Sequence, residues 1–283
     1  MFQEIKFNTL HREWEEAGER MVAKESKFNE DERSKEKFHL YFCRVQTKAG
    51  ELAEWFNEAV MNSPLLMPSQ DEVSLPPPIV FLDCSIYEYT NNVGDRCGLL
   101  VEKFLKGKFT KFNSNNGYVR SPVDFNDISI NLAVGETLLT DFVQAFSHWV
   151  YETTGRELIV CDLQGILDME GKRPVFRLTD PAICSRSRGY RSYYGKTDLG
   201  MKGIRNFCSR HCCNPVCAAL NLPSTRGKQL NPMIRQTNSV QRYVYAPAGQ
   251  LAASEWKMVT FFNNQCNGFV VEKEPFRKVS NIR

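Results

Sequence analysis

An α+β fold, with room for one large domain or two lobes, is what this sequence predicts. Residues 136–152 place Leu138, Leu139, Phe142, Ala145, Phe146, Trp149 and Val150 on one stripe at the helical period. Leu158-Ile159-Val160-Cys161, four apolar residues in succession after a glycine turn at Gly155, read as a buried strand. The chain has 283 residues, 42% hydrophobic and 24% charged, enough to bury a substantial core.

In chain order, the first 37 residues are highly charged, with a short apolar strand, Met21-Val22-Ala23, leading into Lys24. From Phe38 to Val60, the spacing of Phe42, Val45, Ala49, Leu52, Ala53 and Phe56 predicts a helix. Pro64, Pro68, Pro76, Pro77 and Pro78 then mark a loop without regular structure. Ile79-Val80-Phe81-Leu82 and Gly98-Leu99-Leu100-Val101 read as buried strands, and Asn113-Ser114-Asn115-Asn116-Gly117 as a turn. Glu170-Gly171-Lys172 suggests a hairpin. After about Leu222 the chain is richer in Ser, Thr, Asn and Gln, although Tyr243, Trp256, Phe261 and Phe262 show that it is not purely a solvated linker. No internal repeat is present.

Composition narrows the possible functions. A formal charge of +3, with no Arg/Lys stripe, argues against a nucleic-acid footprint. No apolar run approaches the roughly 20 residues that span a bilayer. Met1-Phe2-Gln3-Glu4 does not start a secretory signal, so a cytoplasmic location is expected, with no membrane partner. Ten cysteines would suit a disulfide scaffold, but six are scattered singly while Cys208, Cys212, Cys213 and Cys217 cluster. That distribution points to reduced core thiols and a metal site.

Two devices adjoin within two dozen residues. Tyr194 to Ile204 is a loop punctuated by Gly195, Gly200 and Gly203, suited to close approach of backbone amides. His211, Cys213 and Cys217 follow, three soft ligands where tetrahedral zinc needs four. Asn214-Pro215 reads as a helix cap with proline at the first helical position, which folds Cys217 back beside Cys213. His148, on the flank of the 136–152 stripe, is the candidate fourth ligand, with an ordinary core-edge histidine as the alternative. Asp162 and Gln164 follow the apolar strand, where a period of two would point both to one face, and Asp180 precedes Pro181. These oxygen ligands suit magnesium that also holds phosphate; the alternative is that the aspartates cap turns. Lys24 could supply a fixed charge for phosphate or be simply solvated.

Taken together and in order, these segments resemble the alpha-kinases, the atypical protein kinases. The resemblance rests on Val22-Ala23-Lys24, Val101-Glu102-Lys103-Phe104, Lys111-Phe112-Asn113-Ser114-Asn115, Ser147-His148-Trp149, Asp162-Leu163-Gln164-Gly165, Leu178-Thr179-Asp180-Pro181, Gly195-Lys196-Thr197-Asp198-Leu199-Gly200 and His211 to Cys217. It covers roughly residues 20–222. It implies a two-lobed atypical protein-kinase-like fold: a charged segment at 1–20, a kinase-like domain at 21–222, and an extension at 223–283. The mainly β N-lobe would run to about 101 and a zinc-stapled C-lobe from 103 to 222. With so short and charged a chain before Lys24, the N-lobe is expected to be truncated, without its opening strands.

The resemblance also implies roles. Lys24 would contact ATP phosphates, Glu102 would lie near the adenine, and Lys111, Asn115 and Thr179 would be further nucleotide-side residues. Asp162 would be the catalytic aspartate, with Gln164 and Asp180 on the magnesium side. His148, His211, Cys213 and Cys217 would hold structural zinc, and Gly195, Gly200 and Gly203 would belong to the substrate loop. The function implied is ATP-dependent Ser/Thr protein kinase, acting on a protein substrate, with ATP, Mg2+ and Zn2+ as cofactors; the oligomeric state is not implied. The alternative is a zinc-stabilised pseudokinase serving as a binding or scaffold module. The chain departs from the family pattern at Cys184, where histidine is common, and in an insertion around Gly171 between the two aspartates.

Overall fold

The computed structural model describes residues 2–8, 13–24, 32–68, 75–90, 96–120, 128–171, 173–186 and 191–225. The chain opens with strands β1 (Phe2–Asn8) and β2 (Glu13–Lys24), followed by the long helix α1 (Glu32–Met61) and a 3-10 turn (Pro64–Leu66). Strands β3 (Ile79–Phe81), β4 (Cys84–Thr90), β5 (Arg96–Lys103), β6 (Thr110–Lys111), β7 (Ser129–Leu132) and β8 (Gly135–Leu138) lead to helix α2 (Leu139–Thr153). Then come β9 (Leu158–Cys161), β10 (Gln164–Asp168), β11 (Val175–Thr179) and β12 (Ala182–Ser185). Three short helices follow: α3 (Arg191–Tyr194), α4 (Met201–Arg210) and α5 (Pro215–Ala219). The mix is α+β, as the sequence predicts. Most of the expected 223–283 extension lies outside the described residues.

The described residues form two compact units, one drawn from those within 1–44 and 82–104, the other from those within 45–81 and 105–225. Among the described residues the chain passes between the units three times, and α1 contributes residues to both.

The first unit is a four-stranded antiparallel sheet in the order β1-β2-β5-β4. This corrects the expected truncation, since residues 2–8 and 13–24 supply opening strands. A backbone ladder needs extended amides and carbonyls, which a charged sequence provides as readily as an apolar one. Leu100 and Val101 of β5 are buried. The buried His39 ring packs over Gly98, its nearest atom 3.6 Å from the position a Cβ would take, an ordinary contact distance.

The second unit holds the main core. Val45, Ala49, Leu52, Ala53 and Phe56 of α1 pack with Phe142, Phe146 and Val150 of α2. The Phe56 ring meets Phe146 at 5.4 Å and Trp149 at 5.7 Å, both edge to face. A second sheet runs β3-β11-β10-β6, with β3 parallel to β11 and the other pairs antiparallel. The β10–β11 hairpin contains the insertion expected around Gly171. β9 pairs with β12, and β7 with β8.

Two local expectations are corrected. The helix expected from residue 136 starts at Leu139, because Gly135–Leu138 pairs with Ser129–Leu132 and the Leu139 amide bonds the Ile128 carbonyl at 2.9 Å. Adjacent leucines at 138 and 139 satisfy either element, so periodicity could not place the boundary. Within the proline-rich stretch, Pro64–Leu66 forms a 3-10 turn with Pro64 at its start and Leu66 fully buried. Proline is tolerated in a first turn because its missing N–H would have no partner there.

Candidate active site and metal centre

The first unit carries Lys24 and Glu102. Val22 stands directly opposite Glu102 in the β2–β5 ladder, so Lys24, two residues on, shares its face. The lysine ammonium bonds the Glu102 carboxylate, which is only 2% exposed, while the lysine is 26% exposed. The ammonium also lies 5.3 Å from the Phe42 ring centre. Glu102, expected near adenine, is thus the carboxylate that fixes Lys24.

In the second unit Asp162 does not continue a strand. β9 ends at Cys161, Asp162 takes φ +55°, and β10 begins at Gln164. The period-of-two argument that put Asp162 and Gln164 on one face therefore does not apply. A different geometry gathers the residues. Cys161 pairs with Ala182 and Gln164 with Thr179, which leaves Asp162-Leu163 and Asp180-Pro181 as matching crossovers between the two pairings. Asp180 likewise has a positive φ, +52°. Left-handed backbone outside glycine is costly and recurs at functional sites.

The side chains converge on these crossovers. Lys111 Nζ lies 2.7 Å from Asp162 Oδ1, with the lysine 44% and the aspartate 17% exposed. Gln164 Nε2 donates to the Asp180 carbonyl at 3.3 Å, and the Asp180 amide donates to Gln46 Oε1 at 3.2 Å. Gln46, buried on α1, was not singled out from sequence; it lies 134 residues from its partner. Gly165 is obligatory: its φ is +155°, and a Cβ would sit 2.0 Å from the Arg177 carbonyl oxygen. That close approach lets β10 hug β11 just beyond Gln164.

Asn115 turns elsewhere. Its amide donates to the Thr197 carbonyl at 3.0 Å, and Asn206 Nδ2 donates to the Asn115 carbonyl at 3.4 Å. The residue thereby braces the Gly195–Gly203 segment rather than the Lys111–Asp162 pair. Within that segment the buried Asp198 accepts from the Ser185 amide at 2.9 Å, the Ser185 hydroxyl, and the Gly200 amide at 2.7 Å. Gly203 faces Cys184, with only 2.3 Å between a Cβ position and the Cys184 sulfur. The thiol at 184 and the bare α4 backbone at 203 thus fit one another.

The structure brings His148, His211, Cys213 and Cys217 together, their donor atoms all within 4.8 Å. Cys217 Sγ lies 3.5 Å from His211 Nε2, and Cys213 Sγ lies 3.9 Å from His148 Nδ1. His148, His211 and Cys217 are buried, and Cys213 is partly so. Local structure sets the spacing: the Asn214 side chain accepts from the Cys217 amide at 3.0 Å and donates to the Asp141 carbonyl at 2.9 Å, tying α5 to α2. A hydrogen bond from Cys217, followed by those from His148 and His211, pushes the Cys213 thiol down to about 2. Cys217 moves up, through that same bond to Cys213 and through burial. The cluster therefore stabilises at least one thiolate, the form that ligates metal. Tetrahedral zinc with two sulfur and two nitrogen ligands separates its donors by about 3.3–3.8 Å; the Cys217–His211 spacing of 3.5 Å falls in that range and the Cys213–His148 spacing of 3.9 Å just beyond it.

Solved protein kinases share this architecture. The alpha-kinase domain of myosin-II heavy chain kinase A in complex with AMP-PNP is similar at TM-score 0.55 and 26% identity, covering 76% of this chain and 68% of that one. A novel alpha kinase from Entamoeba histolytica is similar at TM-score 0.55 and 25% identity, covering 75% and 72%. The fold is that of an atypical protein kinase. The alpha-kinase family profile matches residues 3–217, and the chain belongs to that family. Among its relatives, alpha-protein kinase 1 of Dictyostelium discoideum is 34% identical over 213 residues, which is 75% of this chain and 12% of that protein. Human transient receptor potential cation channel subfamily M member 6 is 36% identical over 138 residues, 47% of this chain and 6% of that protein. The chain thus matches only a small part of each relative's length. Among the described residues, no helix is long and apolar enough to cross a membrane.

Proposed function

We propose that the chain is an ATP-dependent Ser/Thr protein kinase that transfers the γ-phosphoryl group to protein hydroxyls. The observation that carries this reading is the pairing of Lys111 with Asp162 beside Gln164 and Asp180, on two crossovers with matching left-handed backbone. Phosphoryl transfer needs positioning and charge neutralisation more than covalent chemistry from the protein. Lys24, oriented by Glu102, supplies a fixed positive charge for ATP phosphates. Lys111 supplies another and holds the Asp162 carboxylate, which accepts the proton of the attacking hydroxyl. The hydroxyl oxygen then bonds the γ-phosphorus as the bond to ADP breaks. Gln164 and Asp180 offer hard oxygen donors that would hold Mg2+, whose chemistry is to offset phosphate charge. The segment with Gly195, Gly200 and Gly203, fixed by Asp198 and Asn115, serves the protein substrate.

Zinc at His148, His211, Cys213 and Cys217 belongs to the same reading as a structural ion, since four protein ligands leave no open position for catalysis. A cytoplasmic location is part of the proposal, in keeping with the free thiols at Cys43, Cys84, Cys161 and Cys184. The test is magnesium-dependent incorporation of labelled γ-phosphate into a generic protein acceptor, with phosphoamino-acid analysis. Label on serine or threonine supports the proposal. A zinc-loaded, folded chain that transfers none refutes it and leaves a scaffold role.

A further inference from the structure

Asn113 is fully buried, an expensive place for a primary amide unless each of its groups is satisfied. Its carbonyl accepts from the Leu163 amide at 3.1 Å. Its NH2 group donates to Ser147 Oγ at 3.0 Å and reaches Gln144 Oε1 at 3.5 Å. Ser147 in turn donates to the Val160 carbonyl at 2.6 Å, and Gln144 donates to the Phe112 carbonyl at 2.8 Å. The Phe112 amide closes the set on the Leu163 carbonyl at 2.8 Å. The backbone on both sides of Asp162 is therefore gripped by one polar network reaching from α2. Between those grips Asp162 holds φ +55°, a conformation that persists only where its surroundings over-determine it.

We propose that Asn113 is a positioning residue for Asp162: its side-chain amide, fixed by Ser147 and Gln144, clamps the Leu163 amide and so aims the Asp162 carboxylate at Lys111 and the substrate hydroxyl. The inference rests on the kinase reading above and gives Asn113 a role distinct from nucleotide contact. An apolar residue would fill the same space without this network. The amide is needed because it must donate toward α2 and accept from Leu163 at once.

Asn113→Leu fills the space with neither the acceptor for Leu163 nor the donor toward Ser147 and adds no buried charge; Asn113→Ser shortens the clamp. Both are made in the wild type and in Asp162→Asn, where asparagine tolerates the left-handed backbone. In the wild-type background kcat falls about 100-fold, the scale of a misplaced catalytic group, with KM for ATP unchanged within about twofold. In the Asp162→Asn background the residual turnover changes by less than about twofold, because the group that Asn113 positions has already gone. Equal losses in both backgrounds, or a loss carried by KM for ATP, overturn the proposal. Should neither Asn113 variant fold, Gln144→Leu loosens the same network and is read by the same cycle. A wild-type chain without turnover counts against the kinase reading alone; hydrogen exchange at the Leu163 amide then decides. Protection lost on Asn113→Ser supports the clamp, and unchanged protection overturns it.

Discussion

The Lys24–Glu102 pair yields a prediction about asymmetry. Its two members differ in exposure, 26% for the lysine and 2% for the glutamate, so removing one is not equivalent to removing the other. Lys24→Ala takes the ammonium away from a carboxylate in a buried site, and breaking a buried pair at one end costs about 3 kcal/mol at the lower end of the observed range. Glu102→Gln leaves an ammonium that water and the Phe42 ring face still solvate, so the loss is about 1 kcal/mol. In thermal unfolding these become decreases of roughly 6–12 °C and 2–4 °C, respectively. The double variant Lys24→Ala/Glu102→Gln leaves no charge at this pair and is more stable than Lys24→Ala alone. The assay is differential scanning fluorimetry supported by urea unfolding, with calorimetric ATP titration on each variant. Glu102→Gln should also weaken ATP binding while leaving most of the stability, since the lysine loses its orientation. A Glu102→Gln variant less stable than Lys24→Ala, or strict additivity in the double variant, would refute the reasoning.

Three further outcomes are expected. Metal analysis should find about one zinc per chain, and Cys217→Ala, which removes a wholly buried ligand, should give insoluble or partly unfolded protein, since structural zinc binding supplies folding free energy; metal-free yet fully folded wild type would contradict this. Asp180→Asn, chosen because asparagine accepts φ +52°, should lower kcat by at least about 100-fold with the melting temperature nearly unchanged, as expected for a ligand that acts on transition-state charge; wild-type turnover would remove Asp180 from the site. Burial holds the His39 imidazole below its ordinary value of 6.5, so the unfolded chain takes up a proton first and stability falls as pH drops below about 6.5; His39→Gln should flatten this part of a stability-versus-pH curve, and an unaltered slope would reject the assignment.

The legible parts of this chain were those written in local pattern. The stripes on α1 and α2 and the apolar run of β9 follow directly from periodicity, since burying one face of a helix or both faces of a strand leaves a repeating trace. Asn214-Pro215 announced the cap of α5 because capping chemistry is local. His211, Cys213 and Cys217 stand out because they lie within seven positions, whereas His148 is one candidate among two readings by its place on a helix flank, and only the family resemblance joins it to them. What stayed hidden depends on long-range pairing. β1 and β2 draw stability from a ladder that side-chain pattern does not record, so their charge misled. The left-handed turn at Asp162 arises from crossovers between two strand pairings, β9–β12 and β10–β11, which no single segment encodes. Gln46 and Asn113 reach partners 134 and 50 residues away, and although Asn113 lies in a quoted motif, nothing local shows which backbone group its side chain holds. Asn115 sat in a turn by composition, yet its side chain answers to Thr197, 82 residues on.

The most direct measurement is a transfer assay with ATP labelled at the γ-phosphate, magnesium and a serine- and threonine-containing protein acceptor, comparing the wild-type chain with Asp162→Asn. The account predicts magnesium-dependent label on serine or threonine from the wild type, and a loss of at least about 1000-fold in the variant, with zinc content and ATP affinity retained. Equal labelling by both proteins, or none by a zinc-loaded wild type that binds ATP, would contradict it.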